Sequence, residues 1–433
     1  MSAQPSIRLC PPTRLRLTRP LRGGGKEERG GEHPAQRAGE ASDGSRGVLG
    51  GIHIFSHTAW ARAQVEWAAA MEYVDVGSLF AKILHGRQEG CCDPDEMYNF
   101  LMSHGCYKLA ALSGPMAQCA VMTTGRQLEK GMERFWRERP VDAVVCFVPF
   151  VGSVLRSALL RACPDAPLLT VVTDMASSRA HKWLDRYDCR WSVNHTIAAG
   201  SPMLQQQLRE LGYPPAHVLS TSGMVVHPSF YRESELPRRE GGHVVGVIFF
   251  GGFAPMSVED VAEHALRSHA SLHLVVICGG NTTLRQRLQQ RGHPSEEIEH
   301  SSELHPRSDA DSLRNRRRCA VEGFIPPQRI RDIFATADFV LGKPGPGVVA
   351  EAIVCGLGYV TENRAPLAQE ACVIDYLRST GVGVLVSSLL DLPKNLLERC
   401  AVARDKARLI QNRAVFEVAD HLQAIIQPGI SAP

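Results

Sequence analysis

The chain has 433 residues, 44% of them hydrophobic and 21% charged, with a formal net charge of +3. That length holds two ordinary domains and that composition is globular, while so small a charge gives no pointer to nucleic acid. The thirteen cysteines are scattered, without a CxxC or a paired metal spacing, and read as reduced thiols, with Cys146, Cys278 and Cys355 acting as small apolar residues.

Residues 1–49 are rich in Arg, Gly, Pro and Glu and poor in branched apolar residues, a composition that predicts disorder. The stretch through Arg22 carries five arginines without an acid, as organelle transit peptides do. Its few serines, and Glu27, Glu28 and Glu32 just beyond, depart from that pattern. From residue 50, short apolar runs alternate with helical stretches. Strands are predicted at 72–76, 141–150, 168–174, 195–200 and 217–223, then at 243–252, 272–280, 319–325, 337–342 and 357–362. Helices are predicted at 202–211, 257–268, 327–336 and 347–356. This alternation implies right-handed βαβ units and parallel sheets. Two series, joined near 231–242, predict an α/β protein of two doubly wound domains, 50–235 and 236–433, facing across a cleft. The first βα unit lacks a convincing strand. The polar stretch 292–316 reads as an insertion in the second domain. No apolar run reaches the ~18–20 residues of a membrane-spanning helix.

Four strand ends of the second series carry glycine: Gly251-Gly252-Phe253, Cys278-Gly279-Gly280-Asn281, Gly323-Phe324-Ile325-Pro326 and Lys343-Pro344-Gly345-Pro346-Gly347. One such end is only a tight turn. Four in successive βα units point to a phosphate or nucleotide site, because glycine lets backbone N–H groups approach an anion and a helix N-terminus adds its positive dipole end. Glu351, expected in the first turn of the helix after Gly347, suits either the two hydroxyls of a ribose or simple stabilisation of the helix start. Gln369 and Glu370 suit sugar hydroxyls or a solvated helix start. The Asp93/Asp95 and Asp309/Asp311 pairs lie in polar, loop-like stretches and read as solvated, so no metal is expected.

The segments FVLGKPGPGVVAEAIVCGL and ENRAPLAQEACVIDYLRSTGVGVLV resemble the nucleotide-sugar half of the monogalactosyldiacylglycerol synthase and diacylglycerol glucosyltransferase family, which is related to the glycosyltransferase that forms lipid II. TVVTDMASSRAHKWLDR (170–186), AAGSPMLQQQLRELGYP and TSGMVVHPSFY (221–231) resemble its acceptor domain, and the similarity covers about residues 65–390. The resemblance implies a GT-B fold, a UDP-hexose donor (galactose or glucose), diacylglycerol as acceptor and transfer with inversion, with no metal or other cofactor. Gly323, Phe324 and Ile325 would hold uracil, Gly251, Gly252 and Gly347 would face the diphosphate, Glu351 the ribose, and Gln369 with Glu370 the sugar. Phe253, Gly279, Asn281, Lys343, Pro344, Gly345 and Pro346 complete the expected donor site.

The family opens with a strand and a Gly-rich loop ending in a histidine that serves as base. Here GVLGGIHIFSH supplies Gly50, Gly51 and His53, which makes His53 the expected base, with His57 second. The missing N-terminal loop keeps open the alternative of a non-catalytic UDP-sugar-binding protein. Val373 stands where the family often has Asn, which leaves the sugar's identity open. In the stretch 77–137, Leu79, Phe80, Ile83 and Leu84 could share a helical face beside Lys82 and Arg87. With a lipid acceptor implied, that face is expected to dock on anionic lipid. The expected location is the surface of a membrane, a plastid envelope or the cytoplasmic face of another.

Overall fold

A computed structural model describes residues 52–56, 71–75, 79, 83, 109, 112–178, 181–190, 194–231, 243–290, 318–365 and 367–426. The expected disordered extension, the 292–316 insertion, both Asp-X-Asp pairs, His57, Phe80 and Leu84 lie outside them.

Short apolar runs form β1 (Ile52–Ser56), β2 (Met71–Asp75), β3 (Ala143–Cys146), β4 (Leu168–Val171), β5 (His195–Ala199) and β6 (Val218–Ser220). Among the described residues they pair in parallel as a six-stranded sheet in the order β2-β1-β3-β4-β5-β6. The second series gives β7 (Val244–Phe249), β8 (Leu272–Ile277), β9 (Cys319–Glu322), β10 (Phe339–Leu341), β11 (Gly358–Glu362) and β12 (Gly383–Val386). These form a second parallel sheet, β12-β11-β10-β7-β8-β9. The strand order reverses between β1 and β3 in one sheet and between β7 and β10 in the other. Such switch points open crevices at the carboxyl ends of the strands. This is the GT-B arrangement of two doubly wound sheets.

Parallel strands need crossovers that cover both faces. On one face of the first sheet, Leu128, Met132 and Trp136 of α1 (Ser113–Glu138) recur every fourth residue and pack with Leu155 and Ala158 of α2 (Gly152–Ala162) on Val144, Cys146 and Leu168. Next comes α3 (Pro202–Glu210), which begins where Ser201 Oγ accepts the Leu204 N–H at 3.0 Å, a cap contributing about 1 kcal/mol. In the second sheet, α4 (Val258–Ser268) covers one face and α5 (Thr282–Gln290) follows β8. The helices α6 (Pro327–Thr336), α7 (Pro346–Val354) and α8 (Ala371–Thr380) cover the other face. Then α9 (Leu396–Ala407) joins α4. Met175, Met224 and Phe230 of the first half share one apolar cluster with Phe334, Val349 and Tyr359 of the second.

The structure corrects four expectations. A strand is present at β1, and it contains His53, paired in register with Glu72 and Val144. The strand β12 adds an edge that the sequence reading passed over. Third, Ile83 packs against α1 and the first core, where a Cβ on Gly131 would lie 2.3 Å from it, so it is not part of an outward lipid-facing surface. Lastly, the final described helix, α10 (Ala414–Ile426), does not stay with residues 236–433. Its Val418 and Leu422 cover Ala143, Val145, Leu169 and Val171 on the first sheet. Ser222 anchors the crossing, its N–H donating to Glu417 Oε2 (2.7 Å) and its Oγ accepting from the Arg413 N–H (2.7 Å).

Buried His195 on β5 has its Nε2 2.9 Å from Thr170 Oγ1, and desolvation, aided by Arg156, depresses its pKa to about 3. A depressed imidazole contributes stability that is present above its unfolded value and lost as pH falls towards its folded value. Urea unfolding should therefore show stability declining by up to about 1.4 kcal/mol per pH unit between roughly pH 6.5 and 3 on this account. The substitution His195→Gln should remove that part of the slope.

Candidate functional site

The carboxyl end of β7 turns at Gly251, whose φ of +88° suits glycine, and continues into the exposed Gly252. A Cβ on either would meet nothing within 4 Å, so open space flanks this backbone. The neighbouring turn after β8 is locked to it. Phe253 and Gly279 form an antiparallel bridge, the Gly280 N–H donates to Gly252 O (2.9 Å), and a Cβ on Gly279 would fall 2.3 Å from that carbonyl. Asn281 points inward: its Nδ2 donates to Ala254 O (2.8 Å) and its Oδ1 accepts from the Leu284 N–H (2.9 Å). Gly279 and Asn281 thus build the turn that presents Gly251 and Gly252.

Across the switch point, β10 runs into Gly342, where a Cβ would lie 2.1 Å from Phe249 O, and then into the Lys343–Gly347 turn. The Gly345 N–H donates to Lys343 O (2.7 Å), and Tyr359 OH donates to the same carbonyl (2.6 Å). Gly345 caps α7 through its backbone, without a side-chain hydrogen bond. Pro344 and Gly345 are buried, while Pro346, Gly347 and Val348 remain half-buried. Pro346 has no N–H, and the first-turn N–H groups of Gly347 and Val348 precede the first helical bond, Val349 N–H to Gly345 O (3.0 Å). Lys343 Nζ lies 3.3 Å from Oε1 of Glu370, whose side chain is 2% exposed. Oε2 of Glu370 is buried without a hydrogen-bond partner. Desolvation raises the Glu370 pKa, opposed by Lys343 and reinforced by Asp174. Gln369 is half-buried beside it. Glu351 falls in the second turn of α7, not the first, and is 1% exposed, near Cys355 and Tyr359. On the outer side of the sheet, Gly323, Phe324 and Ile325 form the turn between β9 and α6, with Phe324 78% exposed.

In the first sheet, His53 is the second residue of β1, away from the strand's carboxyl end at Ser56. A different histidine is built into the crevice edge. Oδ2 of buried Asp174, on the turn after β4, accepts hydrogen bonds from His181 Nδ1 and from Trp183 Nε1 (2.8 Å). The His181 ring also packs edge-on against Phe150 beyond β3, with ring centroids 5.3 Å apart. Sequence reading quoted this segment without singling out the pair. The Asp and His are seven residues apart, a spacing that no helix or strand period selects. Among the described residues, no three His, Cys, Asp or Glu side chains converge as a metal-ligand set. Burial pushes the thiols of Cys146, Cys278, Cys319, Cys355 and Cys400 up to about 12, so they are inert core groups.

Removing Lys343 strands the Glu370 carboxylate, so Lys343→Met should destabilise by about 3 kcal/mol above neutral pH. The raised pKa means Glu370 protonates early as pH falls, and thermal unfolding should show most of that loss recovered in mild acid.

No family model matches the chain. It is 24% identical to a monogalactosyldiacylglycerol synthase of Spinacia oleracea over 77% of its own length and 63% of that protein's. It is also 24% identical to a processive diacylglycerol beta-glucosyltransferase of Bacillus pumilus over 54% of its own length and 55% of that protein's. The chain therefore spans somewhat less than two thirds of the curated relatives it matches. Among solved structures, an S. aureus MnaA–UDP complex superposes with a TM-score of 0.50 at 10% identity, covering 88% of this chain and 98% of that one. The chain thus resembles diacylglycerol glycosyltransferases in sequence and has a GT-B architecture.

Proposed function

We propose that the protein transfers a hexose, galactose or glucose, from a UDP-sugar to diacylglycerol with inversion. The observation that carries this reading is the Lys343–Glu370 pair: a buried carboxylate with one oxygen unpartnered, beside the bare N-terminus of α7 at a switch point. A buried acceptor without a donor is costly unless a ligand supplies one, and sugar hydroxyls supply several. The diphosphate would lie between Gly251–Gly252 and the N–H groups of Gly347 and Val348, where the helix dipole stabilises the departing UDP without metal. Uracil would meet Gly323–Ile325, since β9 stands two strands, about 10 Å, from β7. Buried Glu351 would reach the ribose from the second turn of α7, and Gln369 would join Glu370 on the sugar.

The alternative of a binding protein without catalysis drew on a lost N-terminal catalytic loop; β1 supplies a strand that holds His53 within it, and residues 57–70 lie outside the described ones. No described helix is long and apolar enough to cross a membrane. The lipid would be met at its surface by the first half of α1 and the turn before it, where Leu112, Met116 and Met122 are exposed, since Ile83 of the expected face packs inward.

Incubating the full chain with radiolabelled UDP-galactose or UDP-glucose and diacylglycerol vesicles should give a labelled lipid. UDP binding without labelled lipid would favour the binding-protein alternative. Chelation with EDTA should leave the rate unchanged; loss of transfer restored by magnesium or manganese would contradict a metal-free departure. Replacing Met116 and Met122 with Asp should abolish co-sedimentation with anionic vesicles while UDP affinity, read by calorimetry, stays as it was.

A further inference from the structure

Transfer with inversion needs a base on the acceptor hydroxyl, and the Asp174–His181 pair is used by no part of the donor site. We infer that His181 is that base and Asp174 its positioning residue, an assignment that rests on the transfer reading above. Because Asp174 accepts the Nδ1–H, the neutral ring carries its lone pair on Nε2, to which no described residue makes a hydrogen bond. Trp183 donates to the same carboxylate oxygen and fixes it from the other side. The His181 side chain is 24% exposed, open enough to meet a substrate.

Its position is over-determined. The turn is closed by His181 N–H to Ser178 Oγ (2.9 Å) and Ser178 N–H to His181 O (3.1 Å). Phe150, which packs edge-on against the ring at 89°, has a φ of +69°, a left-handed conformation strained for an aromatic residue. Its N–H donates to Lys182 O (2.8 Å), so the strained residue and the histidine turn hold each other. Strain of this kind, held between the switch-point strand β3 and the carboxylate–imidazole turn after β4, is what functional positions retain.

The same turn faces the donor wall. Met175 lies in the apolar cluster of the second sheet, the Ala176 N–H reaches the Cys372 sulfur, and the Asp174 charge helps raise the Glu370 pKa. The base therefore stands across the cleft from the proposed sugar carboxylate. In the step, Nε2 takes the hydroxyl proton as the acceptor oxygen bonds to the anomeric carbon. The bond from that carbon to the UDP oxygen breaks, and its electron pair leaves on the β-phosphate. Asp174 stabilises the imidazolium, which then returns its proton to solvent. The charged group on the ring is Asp174; Lys182 and Asp185 pair beside it in sequence (2.5 Å), and from the facing wall Asp174 feels Glu370, which Lys343 pairs, and the neutral thiol of Cys372.

The test uses the full chain, UDP-galactose and UDP-glucose as donors, diacylglycerol vesicles from acid to alkaline pH, and UDP calorimetry. His181→Ala and His181→Gln should lower kcat by about 10²–10⁴ and erase the acid limb of the rate profile, with UDP affinity unchanged. Asp174→Asn should lower kcat with UDP affinity unchanged, and added imidazole should restore part of the rate of His181→Ala. If the alanine variant loses UDP affinity through misfolding, the glutamine variant carries the comparison. His181→Gln with wild-type kcat and an intact acid limb overturns the assignment, as does loss of that limb in His53→Gln alone. A wild-type protein that binds either UDP-hexose yet labels no lipid overturns the transfer reading, and the base falls with it.

Discussion

Backbone carbonyls occupy the space where side chains would begin at three turns on the carboxyl edges of the sheets. A Cβ would lie 2.3 Å from Gly223 O at Gly200, 2.3 Å from Gly252 O at Gly279, and 2.1 Å from Phe249 O at Gly342. Real side chains do not tolerate such distances, so adjacent turns can close on each other only through glycine. The rest of the cleft depends on that closeness. It aligns the β7 and β10 turns at one switch point and fixes where α7 begins. On the other sheet it joins the β5 and β6 turns, beside the segment that carries Asp174.

Two buried carboxylates, Asp174 and Glu370, then face each other from opposite walls, and each has its own means of holding charge. Glu370 has one lysine and an idle oxygen, whereas Asp174 has two ring N–H donors. Their mutual repulsion adds to the desolvation that lifts Glu370. A neutral, hydroxyl-bearing ligand relieves such an arrangement better than an anion does, because it brings donors without further negative charge.

Much of the fold was legible because strands of a doubly wound sheet are buried on both faces and read as apolar runs. The runs at β3, β4 and β10 are buried throughout. Where the reading overshot, the cause is local: Phe147–Phe150 continues the apolar run of β3 but leaves the sheet to enter a left-handed turn. It undershot at β1, where Gly50 and Gly51 precede five residues with a histidine among them, and at β12, a four-residue edge strand set between glycines and serines. The donor turns were visible as glycines, but sequence could not separate glycines facing open space, such as Gly251 and Gly252, from one that accommodates a neighbour, such as Gly279. The Asp174–His181 pair was hidden because a hydrogen-bonded turn, not a repeating element, brings it together.

The return of α10 to the first sheet also governs the order in which the chain can mature. The face formed by Ala143, Val145, Leu169, Val171 and Ala198 is complete in sequence once β5 has been made, yet its cover, Val418 and Leu422, comes more than 200 residues later. At ordinary rates of synthesis that interval is roughly 10–40 s. Throughout it, a ribosome-bound chain carries an uncovered apolar sheet face, whereas residues 244–407, once made, contain both covers of their own sheet. The half made first is thus the half finished last, its apolar face open in the meantime to contact with other chains.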